Sequence, residues 1–137
     1  MRSPSTTDAV KQALRAAGLR PTRQRQALGE LLLAGEHRHV TAESLHAEAR
    51  EAGVQVSVAT VYNTLHQFTE AGLLNEVVVD GSKIHFDTNT SQHHHFLATD
   101  GTLIDIPEGQ LQVVGLPPAP RGARIARVDV LVRLAKA

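Results

Sequence analysis

Three consecutive histidines, His93, His94 and His95, are the residues of this chain best suited to chemistry. On a strand, alternate side chains share a face, so His93 and His95 point to one side and His94 to the other. The pair His93 and His95 then offers two imidazole nitrogens to a single metal ion. The sequence has no cysteine, which excludes disulfides, thiolate metal ligands and a cysteine nucleophile.

The size and composition of the chain limit what surrounds this segment. Its 137 residues, 42% of them apolar, suffice for one or two small domains, and two half-sized domains need a partner surface. A homodimer is therefore expected. No apolar run is long enough to span a membrane, and the N-terminus lacks the apolar core of a signal peptide. We therefore expect a cytoplasmic protein with no membrane partner.

Positive charge is concentrated near the N-terminus, although the chain as a whole is neutral. Lys+Arg and Asp+Glu both number 14. Residues 1–25 nevertheless carry six basic groups against one acid. Arg23 and Arg25 fall in the first turn of a predicted helix, where the helix dipole disfavours cations, so they are candidates for contact with an anion.

Apolar spacing and capping residues predict four helices followed by a β-hairpin. After frayed residues 1–7, the helices are expected at about 8–17, from Pro21-Thr22 to Gly35, from the cap Thr41 to Gly53, and from the cap Ser57 to about Ala71. Leu74 to Val79 and Lys83 to Asp87 are the predicted strands, joined by an Asp80-Gly81 turn. This order is the winged-helix plan, in which the last helix reads DNA and the hairpin is the wing.

The fourth helix has the composition of a DNA-reading helix. Its predicted inward face is Val58, Val61, Leu65 and Phe68, and the opposite stripe is Thr60, Asn63, Thr64 and Gln67. Short hydrogen-bonding side chains without charge suit base edges and phosphates in a major groove. Arg20, before the second helix, and Lys83, on the wing, lie where such folds meet the phosphate backbone. A plain surface helix with solubilising charges is the alternative.

The chain from about residue 93 is predicted to form a small α/β unit. His95 to Thr99 and Thr102 to Ile106 are expected strands around an Asp100-Gly101 turn, and Glu108 to Val114 is an expected short helix. Residues 125–134 alternate in the manner of a half-buried strand, and we expect a symmetric partner to cover this sheet. The predicted fold class is α+β, with a winged-helix DNA-binding domain at 1–86 and a C-terminal α/β dimerisation and sensing domain at 87–137.

Long motifs in the same order resemble the ferric uptake regulator superfamily. They are Gly18-Leu19-Arg20-Pro21-Thr22-Arg23-Gln24-Arg25, His39-Val40-Thr41-Ala42-Glu43-Ser44-Leu45, and Val58-Ala59-Thr60-Val61-Tyr62-Asn63-Thr64-Leu65 with Phe68 and Ala71-Gly72-Leu73. Three further segments resemble its iron response regulator branch: Ser91-Gln92-His93-His94-His95-Phe96, Leu103-Ile104-Asp105-Ile106-Pro107 and Ile125-Ala126-Arg127-Val128-Asp129-Val130. The resemblance covers about residues 10–134.

The resemblance implies a homodimeric transcription regulator and not an enzyme. Its partner is expected to be double-stranded DNA with an AT-rich palindromic operator. Tyr62 matches the family's recognition-helix tyrosine, and Asn63 stands where iron-sensing members often have Arg, which leaves the operator sequence open. The DNA-binding residues are expected to be Arg20, Arg23, Ser57, Thr60, Tyr62, Asn63 and Lys83. The branch implies a repressor that acts when iron is scarce and is inactivated by heme, with a heme-delivering protein as a further partner.

The resemblance also completes a ligand set for the histidine pair. It adds His39 and Asp87 to His93 and His95, and three imidazoles with one carboxylate suit manganese, iron or zinc. Gln92 replaces a histidine of a second family metal site. His94 is then a candidate heme ligand, with His93 and His95 beside it. A structural zinc held by four cysteines is not expected, because the chain has no cysteine.

Three alternatives stay open. A metal-corepressor or peroxide-sensing regulator of the same superfamily is compatible with the same ligands. A histidine-ligated metalloenzyme would use the ion as a catalyst, although no glycine-rich phosphate loop, nucleophile elbow or obvious general base accompanies the ligands. The third is a heme-carrying protein with vestigial DNA-binding helices.

Overall fold

The computed structural model of the protein describes residues 4–80 and 83–137. The chain divides into two compact units, Met1–Thr90 and Ser91–Ala137. Among the described residues, the first unit contains four helices and a three-stranded sheet, and the second contains another three-stranded sheet. The predicted α+β class is therefore confirmed. No helix within the described ranges is long and apolar enough to cross a membrane.

The helices of the first unit begin where the sequence supplies capping groups. They are α1 (Pro4–Ala16), α2 (Arg23–Leu33), α3 (Ala42–Glu51) and α4 (Val58–Glu70). Thr22, Thr41 and Ser57 are the N-caps of α2, α3 and α4, and each side chain accepts a hydrogen bond from the backbone N–H three residues later. Residues 4–7 are helical, so the prediction that they fray was wrong. Residues 1–3, also predicted to fray, lie outside the described residues.

One apolar core holds the four helices together. Its members from the helices include Val10, Leu14, Leu28, Leu32, Leu45, Ala49, Val61, Leu65 and Phe68. α1 and α2 pack closely at Gly29, where an added Cβ would lie 2.8 Å from Cγ1 of Val10. Glycine at this position lets the two helices meet without displacing Val10.

The sheet of the first unit joins the predicted hairpin to a short strand that sequence analysis missed. It consists of β1 (His39–Val40), β2 (Asn75–Asp80) and β3 (Lys83–Asp87), antiparallel in the order β1-β3-β2. Gly81 of the predicted Asp80-Gly81 turn lies outside the described residues, and Asp80 pairs with Lys83 across it. In the missed pairing, His39 lies opposite Asp87, and Val40 lies opposite Phe86.

The sheet of the second unit is built around the histidine segment. It consists of β4 (His95–Leu97), β5 (Leu103–Asp105) and β6 (Leu131–Arg133), in the order β5-β4-β6. β4 is antiparallel to β5 and parallel to β6. In the turn between β4 and β5, Thr102 donates its backbone N–H to the Asp100 carboxylate at 3.0 Å, and this hydrogen bond lowers the pKa of Asp100.

Two expectations for the second unit were wrong. Residues 108–114 form a turn followed by irregular chain, and no helix is present there. The reason is Gly109, whose φ of 83° is incompatible with a right-handed helix. The last strand covers only Leu131–Arg133 of the expected 125–134, because its neighbour β4 offers just three residues for pairing.

α4 buries three of the four residues predicted for its inward face, with Thr64 in place of Val58. Val61, Leu65 and Phe68 are in the core, but Val58 is 44% exposed. Thr64, expected on the outer stripe, is only 5% exposed, and its hydroxyl donates to the Thr60 carbonyl at 2.8 Å. The buried positions 61, 64, 65 and 68 follow the i, i+3, i+4, i+7 spacing of a helix face. Val58 is in the first turn of α4 and lies outside the core.

Val61 and Val58 are a matched pair that tests this orientation. Val61→Ala should lower the free energy of unfolding by about 2 kcal/mol, because it removes buried methyl groups and leaves a cavity. Val58→Ala should change it by less than about 0.5 kcal/mol. Urea unfolding measures both values. Equal losses in the two variants would show that α4 packs with another face toward the core.

Candidate metal and DNA-binding sites

His93, His95 and Asp105 bring their ligand atoms together in the second unit. The Nε2 atoms of His93 and His95 each lie 3.3 Å from Oδ1 of Asp105. The two imidazole centroids are 4.5 Å apart, and the three ligand atoms lie within 4.8 Å of one another. Two imidazoles and a carboxylate are ligands that zinc, manganese and iron accept, so this cluster could hold a metal ion.

The hairpin of β4 and β5 positions these three side chains. Its antiparallel register places His95 directly opposite Asp105. His93 precedes His95 by two residues, and both rings face the same carboxylate. Sequence analysis did not assign Asp105. A two-residue Asp100-Gly101 turn would put Thr99 opposite Thr102 and His95 opposite Ile106. In the folded hairpin, Ala98 instead donates its backbone N–H to the Thr102 carbonyl at 2.9 Å, and this longer turn places Asp105 opposite His95.

Hydrogen bonding determines which nitrogen of His93 faces the carboxylate. Its Nδ1 lies 2.7 Å from the Ser91 carbonyl oxygen, which can only accept, so Nδ1 carries the proton. In the neutral ring, the Nε2 lone pair is then directed at the Asp105 oxygen, and a cation between the two atoms would satisfy both. A backbone carbonyl that holds Nδ1–H is a common way to orient a metal-binding histidine.

His94 has the opposite arrangement. Its Nδ1 accepts a hydrogen bond from the Val130 backbone N–H at 3.1 Å, so the proton of the neutral ring is on Nε2. Neither nitrogen has a lone pair available for a metal while this hydrogen bond is intact. His94 therefore connects its segment to the chain that leads into β6, and heme ligation by His94 requires that this bond first opens.

His39 and Asp87 form a second pair of potential ligands, in the first unit. Nε2 of His39 lies 3.1 Å from Oδ2 of Asp87, across the pairing of β1 with β3. The Asp87 side chain is 1% exposed, and its Oδ1 accepts the Asn89 backbone N–H at 2.9 Å. A buried carboxylate needs such partners, since an isolated buried charge is costly.

A polar groove of the first unit lies between the start of α2 and the outer face of α4. Its lining residues are Arg20, Thr22, Gln24, Arg25, Thr60, Asn63, Thr64 and Gln67. This lining contains two arginines and no acidic residue, so the groove is positively charged. It brings together three of the predicted DNA-binding residues, Arg20, Thr60 and Asn63.

Arg25 organises one side of this groove. Its Nε and Nη2 donate to Oε1 of Gln67 at 3.2 and 3.1 Å, and its Nη1 donates to the Arg20 carbonyl at 3.1 Å. Three of its N–H groups are therefore used within the protein, and two of the five that a guanidinium has are left for an anion. Because the Gln67 side-chain oxygen already accepts two hydrogen bonds from Arg25, Gln67 would act toward a ligand through its amide N–H groups.

The other predicted DNA-binding residues are not among the lining residues of this groove. Tyr62 is exposed on α4, Arg23 is exposed at the first position of α2, and Lys83 is exposed at the first position of β3. Ser57 is occupied as the cap of α4, where its hydroxyl accepts the Thr60 backbone N–H at 3.1 Å and donates to the Thr60 hydroxyl at 3.0 Å.

The fold and these sites define a class of protein. It is an α+β protein in which a wing-like hairpin follows a helix with a polar, exposed face. It also has a His/Asp cluster without cysteine that could hold a metal. A sequence profile of the ferric uptake regulator family matches residues 16–129. The chain therefore belongs to this family, whose members are metal-responsive transcription regulators and not enzymes.

Individual relatives agree with this assignment. The chain is 35% identical to the peroxide-responsive repressor PerR of Staphylococcus aureus over 103 residues, which are 74% of this chain and 69% of the relative. It is 36% identical to the repressor of the same name from Staphylococcus epidermidis over 103 residues, 74% of this chain and 68% of the relative. The predicted superfamily is confirmed, and the iron response regulator branch stays a prediction.

Solved structures show the same fold. The ferric uptake regulator from Pseudomonas aeruginosa with manganese is 28% identical, with a TM-score of 0.68 over 92% of this chain and 96% of that one. The ferric uptake regulator of Vibrio cholerae is 25% identical, with a TM-score of 0.70 over 90% of this chain and 96% of that one. Both similarities extend over the two units described above.

Metal affinity tests the His/Asp cluster of the second unit. His93→Ala and Asp105→Asn should each weaken binding of Mn²⁺ or Zn²⁺ by at least roughly 10-fold. Loss of a residue that only supports a ligand already has an effect of this size, so loss of a ligand itself should have no less. His94→Ala should leave the affinity unchanged, because His94 directs no lone pair at the cluster. Isothermal titration calorimetry on the full chain measures all three. Unchanged affinity in folded His93→Ala and Asp105→Asn variants would exclude these residues as ligands.

Proposed function

We propose that this protein is a DNA-binding transcription regulator whose affinity for its operator depends on a divalent metal ion. The observation that carries the proposal is the positively charged groove between the start of α2 and the outer face of α4. An exposed helix face of amide and hydroxyl groups, flanked by arginines, matches what base edges and phosphates require. In winged-helix proteins, the reading element is the last helix before the hairpin, and α4 has this place here.

Within this groove, the residues have different proposed roles. Asn63 and Gln67 carry the amides that can hydrogen-bond to base edges, and Arg20 faces the phosphate backbone. Each phosphate contact adds to the salt dependence of binding. Outside the groove, we assign Tyr62 to base contact and Arg23, Ser57 and Lys83 to the backbone.

The proposed metal ligands are His39, Asp87, His93 and His95, with Asp105 as an additional carboxylate. The first unit supplies the His39–Asp87 pair, and the second supplies the other three residues. Manganese, iron and zinc all suit this donor set, and the positive charge of the ion would offset the carboxylates.

We further propose that the second unit forms a homodimer. Among its described residues, only Leu103 and Ile106 are buried apolar residues, whereas several large apolar side chains are exposed: Ile104, Val113, Val114, Leu116, Ile125 and Leu134. A symmetric partner that covers this surface completes a core that one copy cannot build alone. Two recognition helices related by a two-fold axis match a palindromic operator.

Two finer functions are candidates within the family. A heme-inactivated iron response regulator is proposed from the motifs at 91–96, 103–107 and 125–130, with His93, His94 and His95 as heme ligands and a heme-delivering protein as a partner. Its requirement is that His94 first releases the Val130 N–H. A peroxide-responsive repressor is favoured by the identity with the staphylococcal repressors and by a cluster composed of histidine and aspartate.

An operator titration separates these functions. Purified apo protein and AT-rich palindromic DNA are combined alone and with Mn²⁺, Zn²⁺ or heme. We expect DNA binding to require the divalent metal, because the family to which the chain belongs consists of metal-responsive regulators. Binding by the apo protein that heme abolishes would instead support the iron response regulator. In that case, changing His93, His94 and His95 together to Ala should remove the heme response. Absence of binding in every form would contradict the proposed function and favour a heme carrier.

Substitutions on α4 test the proposed DNA contacts. Tyr62→Ala and Asn63→Ala should each weaken specific operator binding by about 1–3 kcal/mol, the usual value of a base contact, while the dimer stays intact. Glu70→Ala, at the exposed end of the same helix, is the matched control. Fluorescence anisotropy of labelled operator gives the affinity, and sedimentation gives the oligomeric state. Wild-type affinity in Tyr62→Ala would exclude the role of Tyr62.

A further inference from the structure

A short series of aromatic rings links the exposed face of α4 to the core of the first unit. The rings of Tyr62 and His66 have centroids 4.4 Å apart with an interplanar angle of 69°, and those of His66 and Phe86 are 5.6 Å apart at 89°. Both are edge-to-face contacts at distances where aromatic rings attract each other. Exposure decreases along the series, from 40% for Tyr62 through the half-buried His66 to 0% for Phe86.

The two ends of the series differ in how firmly they are held. Phe86 lies on β3, the central strand of its sheet, and pairs with Val40 on one side and Glu76 on the other. Tyr62 lies on the exposed surface of α4. His66 follows Tyr62 by one helical turn, so the two side chains are neighbours on the helix surface. The His66 ring therefore connects a fully buried ring to an exposed one.

We propose that His66 is a positioning residue for DNA recognition, which holds the Tyr62 side chain in one orientation against the buried Phe86. This inference rests on the proposed function, in which Tyr62 contacts DNA. An exposed tyrosine without a neighbour samples several rotamers and loses that freedom when it binds. A ring that restricts Tyr62 before DNA binds reduces the conformational entropy that the side chain loses when the complex forms.

The first experiment needs neither DNA nor metal. The chain has one tyrosine and no tryptophan, so its ultraviolet fluorescence reports on Tyr62 alone. His66→Ala should decrease the anisotropy of this emission and increase its quenching by acrylamide, because Tyr62 loses its neighbour. His66→Phe retains a ring and should restore both values toward those of the wild type. Glu70→Ala is the control for a substitution elsewhere on α4.

The second experiment asks whether His66 acts on DNA binding through Tyr62. His66→Ala should weaken operator binding roughly 2- to 10-fold, the equivalent of one aromatic pair, and His66→Phe should recover most of the affinity. In a Tyr62→Ala background, His66→Ala should cause no further loss, since its partner is already missing.

Two results would overturn the proposal. One is unchanged tyrosine anisotropy and quenching in His66→Ala, and the other is an equal loss of operator affinity with and without Tyr62. Urea unfolding of each variant separates a mobile Tyr62 from a protein that has lost its fold. If the wild type binds no operator in any metal state, the proposed DNA-binding function fails, whereas the fluorescence experiment still decides whether His66 holds Tyr62.

Discussion

The antiparallel pairing of His39 and Val40 with Phe86 and Asp87 is the interaction on which the rest of the first unit depends. It joins residues 48 positions apart, with α3, α4 and the hairpin between them. Thr88 extends the junction, because its backbone N–H donates to the Arg38 carbonyl at 3.0 Å and its hydroxyl accepts the Arg38 N–H at 2.9 Å. Closing so long a loop costs conformational entropy, which the burial of Val40 and Phe86 offsets.

The same pairing involves two neighbouring residues of β3, and each is linked to a different proposed site. Successive side chains of a strand point to opposite faces, so Phe86 and Asp87 have different neighbours. Phe86 packs in the core and contacts His66, which in turn contacts Tyr62 on the exposed face of α4. Asp87 faces His39 and is held by the Asn89 N–H. The residues proposed to read DNA and one pair of proposed metal ligands thus depend on the same strand of the first unit.

Two features of the second unit bear on the proposed metal ion and the proposed homodimer. The Nε2 atoms of His93 and His95 both lie close to one oxygen of Asp105. The Ser91 carbonyl keeps the proton of the neutral His93 ring on Nδ1. A cation bound at this cluster would be held by the Nε2 lone pair of the neutral His93 ring and by the Asp105 carboxylate. The unit also exposes several large apolar side chains and buries few among its described residues. A second copy would cover the exposed ones. Both features agree with the metal ion and the homodimer proposed for this regulator.

The sequence by itself determined the elements whose signals are local. The caps Thr41 and Ser57, the apolar periodicity of the helices and the alternation that places His93 and His95 together all depend on residues within a turn or two. Tertiary structure alone decided the pairing of His39 with Asp87, the burial of Thr64 in place of Val58, and the shortening of the last strand to the length of its neighbour. These features depend on packing between segments distant in the chain, and no local pattern encodes that free energy. Asp105 belongs with these features, because only the folded hairpin sets the register that places it opposite His95 and close to both histidines.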